Sequence, residues 1–290
     1  MNEKLYKRAI SDEIIKYLFT DDIVVLHGAR QVGKTHILYY LEETLKKEGK
    51  ATYYIDLEDS RYVRILNGGI GQFVSLLKEE GIDTSPKDND KSVFVLIDEI
   101  QYLDNPSSFL KILADHHKNI KVIVSGSSSF EIKSKFKDSL VGRTVNFEIF
   151  NLSFEEFLLF KEYYFEKEAV FTQKKIDELI NLFKEYVLYG GYPKIILTDE
   201  TEKKEKYLQQ IIDTYVRKDI RDLAEIKDIG KFNKLMEALA SQSGNLLNIA
   251  ELSNTCKLAK PTVENYLFIL ENTYIIKLVR PFHKNIRSEL

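Results

Sequence analysis

What this 290-residue sequence has little of narrows its chemistry first. It holds a single cysteine, Cys256, so it has no internal disulfide and no multi-cysteine metal site. That usage fits a reducing compartment, and a cytoplasmic location is expected. The five histidines are scattered and suggest no metal cluster. No apolar run approaches the ~18 residues of a membrane-crossing helix, so no membrane association is expected. The opening segment, MNEKLYKRAISDEIIKYLFT, mixes acids with its apolar residues and reads as an amphipathic helix, not a secretory leader. A dominant charge is missing too. Forty-two Lys and Arg face 45 Asp and Glu, a net charge of −3. No global field draws such a chain onto nucleic acid, so any nucleic-acid face must be local. What is present, 44% hydrophobic and 30% charged residues, is an ordinary globular balance, and the length suits two or three domains.

Against this background one segment stands out. The apolar run Ile23-Val24-Val25-Leu26 leads into GARQVGKT, residues 28–35, and then into the helix-compatible stretch His36 to Lys47. Gly-x-x-x-x-Gly-Lys-Thr between a buried strand and a helix builds a cradle for nucleotide phosphates. Gly28 and Gly33 let the backbone turn tightly and expose N–H donors, which act with the positive end of the helix. Lys34 is expected to reach the β- and γ-phosphate oxygens, and Thr35 to ligate Mg²⁺. The nucleotide-binding set is therefore Gly28, Ala29, Arg30, Gln31, Val32, Gly33, Lys34, Thr35 and His36. The ordinary alternative is a glycine turn with a surface lysine.

A second segment completes the site. Val93-Phe-Val-Leu-Ile97 reads as a strand buried on both faces of a parallel sheet. Asp98 and Glu99 stand at its C-terminal end, where open α/β sheets bind ligands. Asp98 is the expected Mg²⁺ holder, directly or through water. Glu99 is the expected base for the attacking water. A third strand, Ile120 to Val124, ends in Ser125-Gly126-Ser127-Ser128-Ser129. Ser127, ahead of Ser128, is the candidate hydroxyl near the γ-phosphate; the alternative is a turn that caps the next helix. Arg143, after Gly142, is a candidate for stabilising charge on the transferring phosphoryl group, in its own subunit or a neighbour's. The alternative is a common surface arginine.

The order of segments predicts strands at 51–57, 93–98, 120–124 and 144–149, alternating with helices near 37–47, 70–80, 106–117 and 129–140. That alternation means βαβ units and a parallel sheet. Residues 83–91 read as a loop. After Phe150 the pattern turns helical. Ser153 and Glu156 have capping-box spacing, and further helices are predicted at 173–188 and 202–223. Gly190-Gly191-Tyr192-Pro193 stops the first of these. From Gly230 the layout is helix to 242, a short helix 249–253 capped by Asn248, a turn, a helix 260–271 and a strand 274–279, the plan of a winged helix. The expected organisation is a P-loop core over 1–150, a helical lid over 151–226 and a winged helix over 227–290.

With GARQVGKT, VFVLIDEIQ, VSGSSS, LVGR, GGYP and the terminal LLNIAELSNTCKLAKPTVENYLFILENTYIIKLVRPFHKN in this order, nearly the whole chain resembles archaeal and bacterial AAA+-type ATPases with an Arg-Gln-x-Gly-Lys-Thr loop. The resemblance implies an α/β P-loop core with an additional strand, a helical lid and a winged helix. It also implies that Pro193 is a lid residue packing on adenine; the residues alone give it only a helix-stop role. Members of this group commonly continue past the Pro-Phe-x-Lys-Asn segment into a restriction-endonuclease-like domain. This sequence ends at Leu290, so no nuclease-linked role is expected of the residues present.

The expected activity is ATP hydrolysis with Mg²⁺, its output a change in how lid and winged helix sit. The competing expectation is a nucleotide-gated DNA-binding regulator. Residues 227–290 hold nine Lys and Arg against six acids, a modest excess. Lys260, Thr262 and Asn265 suit DNA contact, whereas Glu264 would face phosphates unfavourably. The alternative use of this region is packing against the core, a protein partner or a second copy.

Overall fold

The computed structural model describes residues 5–84, 93–126, 140, 142–164, 170–214, 226 and 228–279. It contains five strands: β1 Ile23–Gly28, β2 Ala51–Asp56, β3 Val93–Asp98, β4 Ile120–Gly126 and β5 Thr144–Ile149. They pair in parallel in one sheet of order β2-β3-β4-β1-β5. The strand β4 therefore lies between the strand that feeds the phosphate loop and the strand that ends in Asp98. Because every strand runs the same way, Gly28, Asp56, Asp98 and Gly126 close their strands on one edge of the sheet.

Side chains alternate across a strand, and the burial follows that period. Val25, Val95, Ile97, Val122 and Val124 share one core with helices α3 (Ser60–Asn67), α4 (Ile70–Glu79) and α5 (Pro106–His116). Val24, Leu26, Phe94, Leu96 and Ile123 are buried on the other face. Helix α2 (Lys34–Lys47) packs on β1 through β4 and buries Ile37, Leu38, Leu41 and Leu45. All six residues of β3 are buried, as a strand covered on both faces requires. A short helix α1 (Ser11–Ile15) precedes the sheet.

The chain divides into two compact units, residues 1–208 and 209–290. The first also contains α6 (Phe154–Phe160), α7 (Gln173–Tyr189), α8 (Pro193–Ile196) and most of α9 (Thr201–Ile211). The capping box of Ser153 and Glu156 is formed at α6. The second unit holds α10 (Ile229–Ser241), α11 (Ile249–Cys256) and α12 (Lys260–Asn272). These three share a core of Phe232, Leu235, Leu252, Val263, Tyr266 and Leu270. Asn248 caps α11 through its side chain.

Some expectations change. The sequence pattern does not predict helix α3; Asp59 starts it by accepting the Arg61 N–H. Residues 274–279 form no strand. The first of them are taken up by the turn that closes α12: the N–H groups of Ile275 and Ile276 both donate to the Leu270 carbonyl, at 2.9 and 3.3 Å. The helix predicted at 129–140, and the part of 202–223 beyond residue 214, lie outside the described residues.

Candidate functional site

The phosphate loop owes its shape to two glycines. Gly28 closes β1 beside Ile149 of β5. A Cβ there would stand 2.2 Å from the Ile149 carbonyl oxygen, so only glycine permits this approach. Gly33 has φ 95° and starts α2 from the left-handed region. Gln31 also has a positive φ, 62°. Arg30, Gln31 and His36 are exposed, while Ala29 and Val32 are buried.

Lys34 is buried and lies back along its own loop. Its ammonium donates to the carbonyls of Gly28 at 3.1 Å and Ala29 at 2.7 Å. Burial pushes its pKa down to about 8, against the opposing pull of the Glu99 and Asp98 carboxylates. Lys34 therefore still carries most of its charge at neutral pH and keeps two acids within electrostatic reach.

The second half of the site meets the first directly. Thr35, on the first turn of α2, donates its hydroxyl to Asp98 Oδ2 at 2.6 Å. Asp98 faces that way because it shares its strand face with Phe94 and Leu96, the face that α2 covers. The parity that aims Asp98 also selects its neighbours. Tyr54 of β2 donates its hydroxyl to Oδ2 at 3.1 Å. The hydroxyl of Ser125, at the end of β4, donates to Oδ1. The Glu99 N–H lies 3.1 Å from Oδ1 and 3.3 Å from the Ser125 hydroxyl. Asp98, 3% exposed, thus keeps a buried carboxylate fully engaged. Burial raises the Tyr54 phenol well above its usual range, so Tyr54 acts as a donor here.

Glu99 holds a left-handed backbone, φ 56° and ψ 48°, unusual for a side chain of this kind. Its carboxylate accepts from the Gln101 side-chain amide. The strained residue directly after the strand places one acid inward and the next partly exposed at the sheet edge.

Pro193 does come to the loop. The position a Cβ would take on Gly33 lies 3.6 Å from Pro193 Cγ. The segment before it is held by the Leu152 N–H, which donates to Gly191 O at 2.8 Å. Arg143 does not come to the loop. It precedes β5, its carbonyl accepting the Ile23 N–H at 2.8 Å, at the end of the sheet where strands begin. Five residues of strand at about 3.3 Å each separate that end from Gly28, roughly 16 Å. Its guanidinium pairs instead with Asp115 of α5 at 2.7 Å. A role in its own subunit is therefore corrected: the strand direction points Arg143 away from the phosphates. Ser127 lies outside the described residues. Tyr54, Ser125 and Gln101 were not anticipated; the alternation of side chains along β2 and β4 is the signal that finds the first two once the strand order is known.

The Mg²⁺ expected here finds suitable donors. Magnesium takes hard oxygens in octahedral geometry and relies on few protein ligands, the rest being phosphate oxygens and waters. The hydroxyl of Thr35 and the carboxylate of Asp98, already in contact, match that demand. Among the described residues there is no cluster of three or more His, Cys, Asp or Glu that would hold a metal alone.

Residues 20–158 match the AAA domain family. Residues 180–290 match a family described as a domain of unknown function. The AAA match falls wholly within the first unit and takes in all five strands of the sheet. An uncharacterised protein of Methanocaldococcus jannaschii is 31% identical over 289 residues, spanning 97% of this chain and 62% of that protein. An uncharacterised protein of Haemophilus influenzae is 29% identical, spanning 91% and 63%. The chain thus spans less than two thirds of the length of these relatives. A solved Walker-type ATPase of Pyrococcus abyssi shares the fold at TM-score 0.57 and 16% identity, covering 93% of this chain and 90% of that one. No helix among the described residues is long and apolar enough to cross a membrane.

Proposed function

We propose that this chain binds ATP with Mg²⁺ at the sheet edge and hydrolyses it. One observation carries the reading: Thr35 and Asp98 touch at 2.6 Å across α2 and β3, beside the buried ammonium of Lys34. The triphosphate takes the place of the loop carbonyls as the partner of Lys34, and the loop N–H groups bind its oxygens. Mg²⁺, when bound, would supply neutralisation of the triphosphate's charge. Thr35 and Asp98 are the residues that would hold it. Glu99 orients the attacking water and accepts its proton as the bond to the γ-phosphorus forms; ADP leaves with the bridging oxygen. Release from Gln101 frees the Glu99 carboxylate for this role. Pro193, beside Gly33, lets the helical segment after residue 151 respond to an occupied loop.

The turnover assay that tests this uses Glu99→Gln. ATP affinity should stay within about threefold of wild type, while the hydrolysis rate falls about 100-fold or more. An unchanged rate removes Glu99 from the mechanism.

For the second unit we favour a protein contact over a DNA reader. Exposed on α12 are Lys260 and Asn265, but also Glu264 and a 53% exposed Phe268. An acid and a phenyl ring at the centre of a helix face disfavour phosphate contact. A duplex DNA titration at two salt concentrations, with ATP and with ADP, separates the two. A steep salt slope that changes with nucleotide supports the DNA reader.

A further inference from the structure

Arg8 belongs to none of the motifs above, yet it is 6% exposed and makes four hydrogen bonds. Its Nε donates to Glu156 Oε1 at 2.8 Å, and Nη2 reaches Glu156 Oε2 at 3.3 Å. Nη2 also donates to Phe150 O at 2.9 Å, just past β5. Nη1 donates to the carbonyl of Val32, inside the phosphate loop, at 2.8 Å. The Glu156 carboxylate is committed in turn: it also accepts the N–H of Ala9 at 2.8 Å and of Ser153 at 3.0 Å. Burial would push the Glu156 carboxyl up; the Arg8 guanidinium and these two N–H groups outweigh it and hold it below its usual value.

The bond to Val32 has a consequence for the ligand. The carbonyl of Val32 and the N–H of Gly33 belong to one planar trans peptide and point in opposite directions. Fixing the carbonyl on Arg8 therefore fixes the direction of the Gly33 N–H, one of the donors that the loop offers to phosphate. Arg8 also flanks Gly33 itself, with Nη1 3.7 Å from where a Cβ would stand, next to Pro193. A buried charge is costly unless paired and bonded. Here the pairing spans 148 residues, from the N-terminal segment to the glutamate of the α6 capping box.

We propose that Arg8, held by Glu156, is a positioning residue that sets the phosphate loop for nucleotide. This rests on the ATP reading above. A lysine at position 8 keeps the charge. Its donors radiate from one atom, however, and cannot replace a planar fork that serves Glu156, Val32 and Phe150 together.

The test compares wild type, Arg8→Lys, Arg8→Glu, Glu156→Gln and the exchanged pair Arg8→Glu with Glu156→Arg. Each is measured for ATP and ADP affinity, steady-state turnover and melting temperature. Arg8→Lys is expected to weaken both nucleotides about tenfold through lost pre-organisation, raising KM more than it lowers kcat. Glu156→Gln should weaken them less. The exchanged pair should recover melting temperature relative to Arg8→Glu alone, yet keep the raised KM, because a glutamate cannot donate to the Val32 carbonyl. Nucleotide affinity unchanged in Arg8→Lys overturns the proposal. So does recovery of KM together with melting temperature in the exchanged pair, which would make the pair purely structural. If wild type binds neither nucleotide, the ATP reading itself has failed, and the positioning role fails with it.

Discussion

Two lysines are buried at opposite ends of the same sheet, and both give their ammonium to backbone carbonyls. Lys34 donates to Gly28 and Ala29, and Lys121, at the start of β4, to Thr20 and Asp22. A buried ammonium bonded to carbonyls is thus no signature of a site. The surroundings differ. Around Lys34 converge a glycine loop, the first turn of a helix, and Asp98 and Glu99 at the end of a strand. Lys121 ties down the loop that enters β1, donating to Thr20 and Asp22. A parallel sheet gathers chemistry on the edge where its strands end and leaves the other edge to hold connections.

Exchanging the two lysines for methionine, one at a time, would break this comparison most sharply. Lys34→Met should weaken ATP binding roughly 100-fold or more, since a charge-assisted partner of the phosphates is lost. Its melting temperature should not fall: the lowered pKa of Lys34 shows that its bonds to the Gly28 and Ala29 carbonyls do not offset the cost of burying its charge. Lys121→Met should do the reverse. It leaves the part-buried carbonyls of Thr20 and Asp22 unanswered, at a cost of about 1 kcal/mol or more in stability, with nucleotide affinity close to wild type. Equal losses of ATP affinity in both variants would erase the distinction between the two edges.

The pH dependence of Lys34 sharpens the comparison further. Its ammonium loses its proton near pH 8 in the folded chain, against 10.5 for an ordinary lysine. Bound phosphates favour the charged form, so ATP affinity should fall as pH rises above about 8, by at most tenfold per pH unit. Stability without nucleotide moves the other way. The unfolded chain keeps this proton to higher pH than the folded one, so the Lys34 contribution rises between about 8 and 10.5. Nucleotide titrations and thermal melts across that range should therefore carry opposite slopes, and Lys34→Met should flatten both.

The smallest effect belongs to Arg143, on the entering edge. Its pair with Asp115 is partly solvated, with side chains 35% and 32% exposed. Arg143→Ala should leave ATP affinity within about twofold, as expected of a surface pair. Turnover followed against protein concentration decides the remaining role. A rate loss that appears only at high concentration assigns Arg143 to a neighbouring copy; no loss at any concentration makes it a surface residue.

The sequence carried the sheet, and the loop and strand end that meet at Thr35 and Asp98, for a physical reason. Gly28, Gly33, Lys34, Thr35 and Asp98 signal through local pattern: a buried run, a turn residue, then a polar or charged group. Tyr54 and Ser125 could not be found that way. Each reaches Asp98 only because β2 and β4 flank β3, a fact of pairing and not of spacing. Ser125 was passed over for Ser127 because the strand runs on to Gly126, two residues beyond its apolar part, which turns Ser125 inward. Arg8 was invisible for a stronger reason. Its partner lies 148 residues away, and Glu156 already had a complete local explanation as a helix cap. The strand expected at 274–279 fails in the opposite way, as a good local pattern whose first residues the turn closing α12 takes up instead.

The central claim is that Thr35 and Asp98 are the protein's hold on a metal-bound triphosphate. The most direct test is an ATP titration with Mg²⁺ and with a chelator, run on wild type and on Asp98→Asn. Wild type should bind ATP more tightly with Mg²⁺ than without it, and Asp98→Asn should bind with little difference between the two conditions. The same Mg²⁺ dependence in both proteins would contradict the account.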